Sequence, residues 1–478
     1  MAESPYWNSD KIASLIGEVV QSMIPPSGLL EGRNWRIGTA PFLIPVSELS
    51  FFQKLGLALL EFYRAANLLY RWSFTGKAPE WIAEWLDRGK PKELIQLQRS
   101  KTFKNELPRI IRPDVLLGES GYAITELDTV PGGIGLTDWL NRVYHLAAVR
   151  LSKNLPWQII GGPDGMTAGF RNIFTGFSRI WIMISEECAT YQPEMKWLAN
   201  QLGESFVVTG PDTPKFTQGE AVYRFFELFD LENVPGSLDV FTAALKGQIY
   251  LTPPPKPALE EKLLLALFWN ANLRNFWKAQ LGEKTWTFLN RVIPRTWVID
   301  PTPLPPWAEI PELGITTWEQ LADFSQKQRE LVLKVSGFSP MAWGARGVYV
   351  GHDLPKTEWE RVVKTAIQAA NSTPFVLQRF VRSRRILASW FDTQTGKIVY
   401  LEGRVRLCPY YFVNGHWDNP TVTLGGILAT ICPADKKVIH GMSDSILVPV
   451  AVNPMLPANT FSATYPNEGR LVEQERSQ

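Results

Sequence analysis

Histidine and cysteine are scarce in this chain of 478 residues. The four histidines, His145, His352, His416 and His440, are scattered, with no H-E-x-x-H and no H-x3–5-H pair, so no histidine zinc site is expected. The cysteines, Cys188, Cys408 and Cys432, are odd in number and form no C-x-x-C, which argues against a disulfide framework and against a thiolate zinc centre. No apolar run approaches the roughly 20 residues of a membrane span. The amino-terminal residues lack a basic segment followed by an apolar one, so no secretory signal is expected and the cytoplasm is the default location. An excess of one charge is missing too: 49 Lys and Arg against 47 Asp and Glu leave a net +2, and nucleic acid is not an expected partner. There is no G-x-x-x-x-G-K-[ST] and no G-x-S-x-G, which removes the P-loop and the nucleophile-elbow hydrolases.

What is present is globular: 45% hydrophobic and 20% charged residues, in a chain long enough for several domains. Residues 1–105 read as a mostly helical region, with helical periodicity over 55–72, 78–87 and 92–99. Residues 106–175 turn to strand-like alternation. Within 176–257, an apolar run at 178–185, a helix at 192–201 and strands at 205–209 and 221–226 suggest a small α/β unit, the first run fitting a buried parallel strand. Proline clusters at 253–257 and 301–311 punctuate the chain as connectors. Residues 259–290 between them read as helical. Within 258–460, strands are predicted at 331–336, 347–351 and 375–381, with a helix after the second opened by a Thr357–Glu360 capping box. β-rich segments follow at 386–407 and 423–431. Residues 461–478 are a polar tail.

The segment 109–135 is the most informative. Two β-like runs flank Glu119-Ser120-Gly121, and a three-residue loop ending in glycine would place Asp114 opposite Glu126 and Arg112 opposite Asp128. All four side chains then leave one face, because strand side chains alternate. Three carboxylates so close need a cation beyond Arg112. Oxygen-only ligands suit Mg2+, which combines one or two carboxylates with substrate phosphates; a solvated sheet face with a cross-strand salt bridge fits the spacing equally. The Pro131–Gly135 exit that follows is backbone-flexible enough for close approach of a phosphate.

Farther on, Lys334 interrupts an apolar strand. A buried lysine is costly unless it meets an anion. The loop after it carries Gly337, Ser339, Gly344, Arg346 and Gly347, a composition able to cover phosphates with amides and cations. A lysine snorkelling from a strand edge reads the same way. Gln378, on the 375–381 strand, offers an amide to an adenine edge. Arg404 and Arg406 share a strand face and either hold an anion or pair with surface acids.

These pieces together resemble the circularly permuted ATP-grasp ligases, most closely the synthetase domain of glutathionylspermidine synthase. Arg112-Pro-Asp114 followed by Glu126-Leu-Asp128, then a strand lysine, a glycine loop and a hinge strand, reproduces the family's permuted order over about 105–135 and 290–450. The resemblance implies an α+β / α/β multidomain protein with an ATP-grasp core, an inserted α/β domain and an unmatched helical amino-terminal region. It further implies ATP and Mg2+ as cofactors, Asp114, Glu126 and Asp128 as metal ligands and Arg112 as the group that stabilises the transferring phosphoryl. Lys334, the 337–347 loop, Gln378 and Arg295, 39 residues before Lys334, would bind the nucleotide. The partners would be a small-molecule or peptide carboxylate and an amine, joined as an amide through an acyl phosphate. The family's E-x-N reads E-x-D here, the loop offers Arg346 where a lysine is usual, and no cysteine amidase domain of the glutathionylspermidine type is expected. The first two departures make a degenerate nucleotide-binding or interaction module the alternative, and the third leaves the substrate open. A carbohydrate-active enzyme built on Asp114 and Glu126 would suit the tryptophans but leaves Lys334 and its loop unexplained.

Overall fold

The structure, a computed structural model, describes residues 10–458 apart from 27, 31–33, 152–154, 213, 306, 343 and 440–442. His440 and the expected tail at 461–478 lie outside the described residues.

Three sheets organise the chain. The largest runs in the order Ile386–Asp392, Asn34–Gly38, Ser443–Asn453, Thr421–Pro433, Lys397–Asn414, Ile110–Gly118, Gly121–Asp128, and two short strands, Phe42–Pro45 and Gln158–Ile159, join Ser443–Asn453. Ile386–Asp392 also pairs with Lys397–Asn414, so the path returns on itself and leaves Gly121–Asp128 as the strand at its open end. The amino-terminal region is helical as expected, with Val46–Phe74 as its main helix, but it also places two strands in this sheet. Helix Val46–Phe74 packs on the sheet and buries sixteen of its residues, among them Phe52, Leu55, Leu59, Phe62 and Tyr63.

A parallel sheet in the order Phe206–Thr209, Ile180–Ile184, Glu220–Phe225, Ile249–Thr252 forms the small α/β unit, with helices Gln192–Leu202 and Ser237–Leu245. Ile180–Ile184 sits between two parallel neighbours, which is why its sequence is apolar throughout. The third sheet, Thr296–Val298, Phe375–Arg379, Leu331–Val335, Val348–Val350, is antiparallel. Helix Lys356–Ala369 covers it, burying Trp359, Val362, Val363 and Ala366.

Several local expectations are corrected. Helix Lys356–Ala369 starts after Pro355, whose ψ of 153° sets the entry, with no side-chain cap; the capping box is at Thr317 and Gln320 instead. The helical stretch 259–290 is divided, because Asn270 closes one helix and caps the next turn through Asn272 N at 3.0 Å, and Gly282 (φ 71°) breaks the second. The hairpin at 118–121 has a two-residue turn, since Gly118 pairs with Gly121. An extra residue, Thr125, bulges between the Val115–Ile124 and Asp114–Glu126 pairs. The bulge restores the register that the shorter turn removes, so Asp114 faces Glu126 and Arg112 faces Asp128 as expected.

Candidate functional site

The three sheets meet around a cavity of about 710 Å3. Its wall includes Arg112, Asp114, Glu126 and Asp128 from the hairpin, Lys334 and Gln378 from the antiparallel sheet, Gly337, Gly344 and Arg346 from the loop, and Glu227 beyond the end of the parallel sheet. Ser339, Gly347 and Arg295, expected at the nucleotide, do not line it. Ser339 accepts from Met341 N at 3.2 Å, and Gly347 packs beneath the loop where a Cβ would lie 2.6 Å from Met341 O. Arg295 is 3.3 Å from Glu312 and lies over the rings of Trp269 and Trp297.

Arg112 sits between two carboxylates, 2.8 Å from Asp128 and 3.3 Å from Asp114. Asp114 also meets Arg406 at 2.9 Å and accepts from the Cys408 thiol at 3.5 Å. Burial would push the Asp114 carboxyl up, but Arg406 and Arg112 outweigh it and hold it below the usual carboxylate range. Asp128 goes the other way: burial, with help from Glu126 and Asp114, raises it despite Arg112. Glu126 is 2.8 Å from Lys262. Lys262 also donates to Ala342 O at 3.0 Å, tying the carboxylate hairpin to the loop. Arg346 in that loop reaches Glu187 at 2.9 Å.

Lys334 has no carboxylate of its own among the described residues. Its Nζ donates to Thr125 O at 3.0 Å and to Gln378 Oε1 at 2.8 Å. Burial pushes its ammonium down to about 8, Glu126 opposing and Lys262 adding to the effect. Thr125, whose carbonyl Lys334 meets, is the bulged residue of the hairpin. Gln378 Nε2 donates to Thr296 Oγ1 at 3.1 Å, so both ends of the amide are engaged, its oxygen with Lys334 and its nitrogen with Thr296.

Sequence reasoning missed Lys262 and left Arg406 undecided. Lys262 precedes the wholly apolar helix Leu263–Trp269, and a lysine at the start of a buried helix is itself buried; that was the available signal. Glu227 was missed as well. Burial, together with Glu260 and Asp128, pushes its carboxyl up to about 8 while Arg224 and Lys262 pull it down. At the start of helix Ile134–Arg150, Gly133 (φ 91°) lies where a Cβ would collide with the Tyr410 hydroxyl, so the 131–135 exit is a close-packed turn.

Seven cationic side chains (Arg112, Lys262, Lys334, Arg346, Arg379, Arg406, Lys437) and five acidic ones (Asp114, Glu126, Asp128, Glu227, Glu260) line the cavity. The wall is cationic on balance and suits an anion. Asp114, Glu126 and Asp128 are all-oxygen donors, the type Mg2+ takes. Each is already held by a protein cation, and among the described residues no three His, Cys, Asp or Glu side chains form a metal-binding group. A metal here would exchange with Arg112, Arg406 and Lys262 for those oxygens.

No family model matches the sequence, and no curated protein matches it. Among solved structures, a glutathione synthetase-like effector from Globodera pallida, in its apo form, superposes with a TM-score of 0.56 at 12% identity, over 92% of this chain and 97% of that one. The fold is similar to that of a glutathione synthetase-like protein. A protein provisionally described as a gamma-glutamylcysteine synthetase, from Methylobacillus flagellatus, gives a TM-score of 0.37 at 11% identity, covering 85% of this chain and 89% of that one. Among the described residues no helix is long and apolar enough to cross a membrane.

Proposed function

We propose that the protein is an ATP-dependent carboxylate–amine ligase of the permuted ATP-grasp type, glutathionylspermidine synthase-like, that makes an amide through an acyl phosphate. The observation that carries this reading is the convergence, in one cavity, of Lys334 with the Arg112–Asp114–Glu126–Asp128 face, joined through Thr125 O at 3.0 Å. Likeness in fold to a glutathione synthetase-like protein supports it.

In this mechanism Lys334 and Lys262 take the nucleotide phosphates, and the 337–347 loop closes over them. Arg112 and Arg406 neutralise charge on the transferring phosphoryl and on the acyl phosphate it forms, which is the main work of a phosphoryl-transfer site. Asp114, Glu126 and Asp128 would hold Mg2+ brought with ATP, and the ion would supply further charge neutralisation. The carboxylate substrate lies beside Arg112. The amine arrives as an ammonium at the acidic end of the cavity, beside Glu227, Glu260 and Asp128; an ionised carboxylate there takes its proton, and the free amine attacks the acyl carbon, forming the C–N bond as the C–O bond to phosphate breaks. Loop closure excludes water, which would otherwise hydrolyse the acyl phosphate.

ADP formation from ATP and Mg2+, measured over a panel of peptide acids and amines, tests the reading. ADP release that depends on both substrates is expected, together with a rise in melting temperature at millimolar ATP–Mg2+, since a ligand bound only by the native state stabilises it. Absence of any thermal shift leaves the interaction module as the better description.

Binding should also be linked to protons. A triphosphate beside Lys334 raises the lysine's pKa, which is about 8 in the free protein. Nucleotide binding at a pH of about 9 will therefore take up a proton, and affinity will fall as pH rises past 8. Calorimetry in two buffers of different ionisation enthalpy measures the uptake; identical heats would refute the role of Lys334.

A further inference from the structure

Three consecutive residues of the amino-terminal helical region reach into the lobe that carries Lys334. Arg88 Nη1 donates to Ala370 O at 2.9 Å, just past the end of helix Lys356–Ala369. Gly89 (φ 75°) faces Ser372 O so closely that any Cβ would collide with it. Lys90 Nζ lies 2.5 Å from Glu261 Oε1, with the two side chains 0% and 1% exposed.

Glu261 is the relay. Its second oxygen accepts from the Ser336 hydroxyl. Ser336 follows the Leu331–Val335 strand directly, and its own Oγ accepts from Leu263 N at 2.9 Å while its carbonyl accepts from Lys262 N at 3.1 Å. The Glu261 carboxylate also fills the space beside Gly337, where a Cβ would come within 2.8 Å of it. Gly337 is the first residue of the loop and lines the cavity. Lys90 Nζ further lies 5.8 Å from the ring centroid of Phe338. One buried ion pair thus fixes the point at which the loop leaves its strand, and the ammonium comes from a segment 171 residues away in sequence.

A buried ion pair is a poor way merely to hold two elements together, because apolar groups of the same size do so at least as well. It does fix direction: a carboxylate with two donors on opposite sides has little freedom to rotate. We infer that Lys90 is a positioning residue which, through Glu261 and Ser336, sets the start of the 337–347 loop over the nucleotide phosphates. The amino-terminal region is on this view a working part of the nucleotide site. The inference rests on the nucleotide reading of the cavity for its effect on ATP, but its effect on the loop is separable.

The test uses Lys90→Met and the double variant Lys90→Met with Glu261→Gln in the full chain. The single variant leaves a buried carboxylate without its cation and is expected to be less stable. The double variant removes both charges and should melt close to the parent. Two readouts are taken on the double variant. Amide exchange over 337–347, measured without nucleotide, is expected to speed up by about tenfold or more, since local opening is governed by local contacts. The KM for ATP is expected to rise by about tenfold or more with kcat reduced less, because the loop's resting position is disturbed while the groups that act on the phosphoryl remain. Restoration of stability with parental exchange over 337–347 and parental KM would reduce Lys90 to a structural tie and overturn the inference. If the parent fails to respond to ATP at all, the ligase reading fails, and the exchange data still decide the role of Lys90.

Discussion

Lys334→Met is expected to lower ADP formation by roughly 10²–10³-fold, the range found when one preorganised charge donor is removed from a transition-state site. Its stability should change little at pH 7, because two effects oppose. The variant forfeits hydrogen bonds to Thr125 O and Gln378 Oε1, a loss of about 1–3 kcal/mol. It also relieves the burial of an ammonium, a cost that shows in the depressed pKa. The second effect has a pH signature. The folded lysine titrates near 8 and the unfolded one at its ordinary value of 10.5. Between those values the unfolded chain binds more protons, so the parent gains stability with rising pH and the variant does not. Urea unfolding at several pH values, alongside turnover, separates the two. Turnover within a factor of about three of the parent would remove Lys334 from the site.

Asp114→Asn should damage both fold and activity. Asp114 is 93% buried, given its 7% exposure, and balances Arg112 and Arg406 at 3.3 and 2.9 Å. Its loss leaves Arg406 without a carboxylate among the described residues, and breaking a buried pair from one side costs about 3–5 kcal/mol. ADP formation should fall by about 10²-fold or more as Arg112 and Arg406 lose their orientation. Since the two arginines hold Asp114 below the usual carboxylate range, its contribution is full above the ordinary value of 3.8 and is lost as pH falls through the lower folded value. Acid unfolding of the variant should therefore begin from a lower stability and descend less steeply. An unchanged urea midpoint at pH 7 would contradict this account of the pairing.

The hairpin illustrates how far sequence reaches. The period of two placed Arg112, Asp114, Glu126 and Asp128 on one face, and the structure agrees. The turn was one residue too long in the sequence reading, and the bulge at Thr125 supplied the missing residue. A bulge has no pattern of its own in a single sequence, yet this one holds the carbonyl that Lys334 meets. Local alternation likewise marked the strand of Lys334, while the strands at Asn34–Gly38 and Ser443–Asn453 went unread because their pairing spans most of the chain and Pro449 interrupts the second. Arg295 was chosen by distance along the chain. Lys262, the cation that meets Glu126, is brought there by the buried helix behind it, and no spacing rule encodes that packing.

The large sheet turns back on itself at one end, so the strand Gly121–Asp128 at the other end carries the row of main-chain groups left without a ladder partner. Such an edge invites pairing with a second molecule. Here it is met by an ammonium from another sheet, at Thr125 O, in place of a further strand. Opening the lobe that carries Lys334 would therefore free one further carbonyl on a strand edge that already lacks a ladder neighbour.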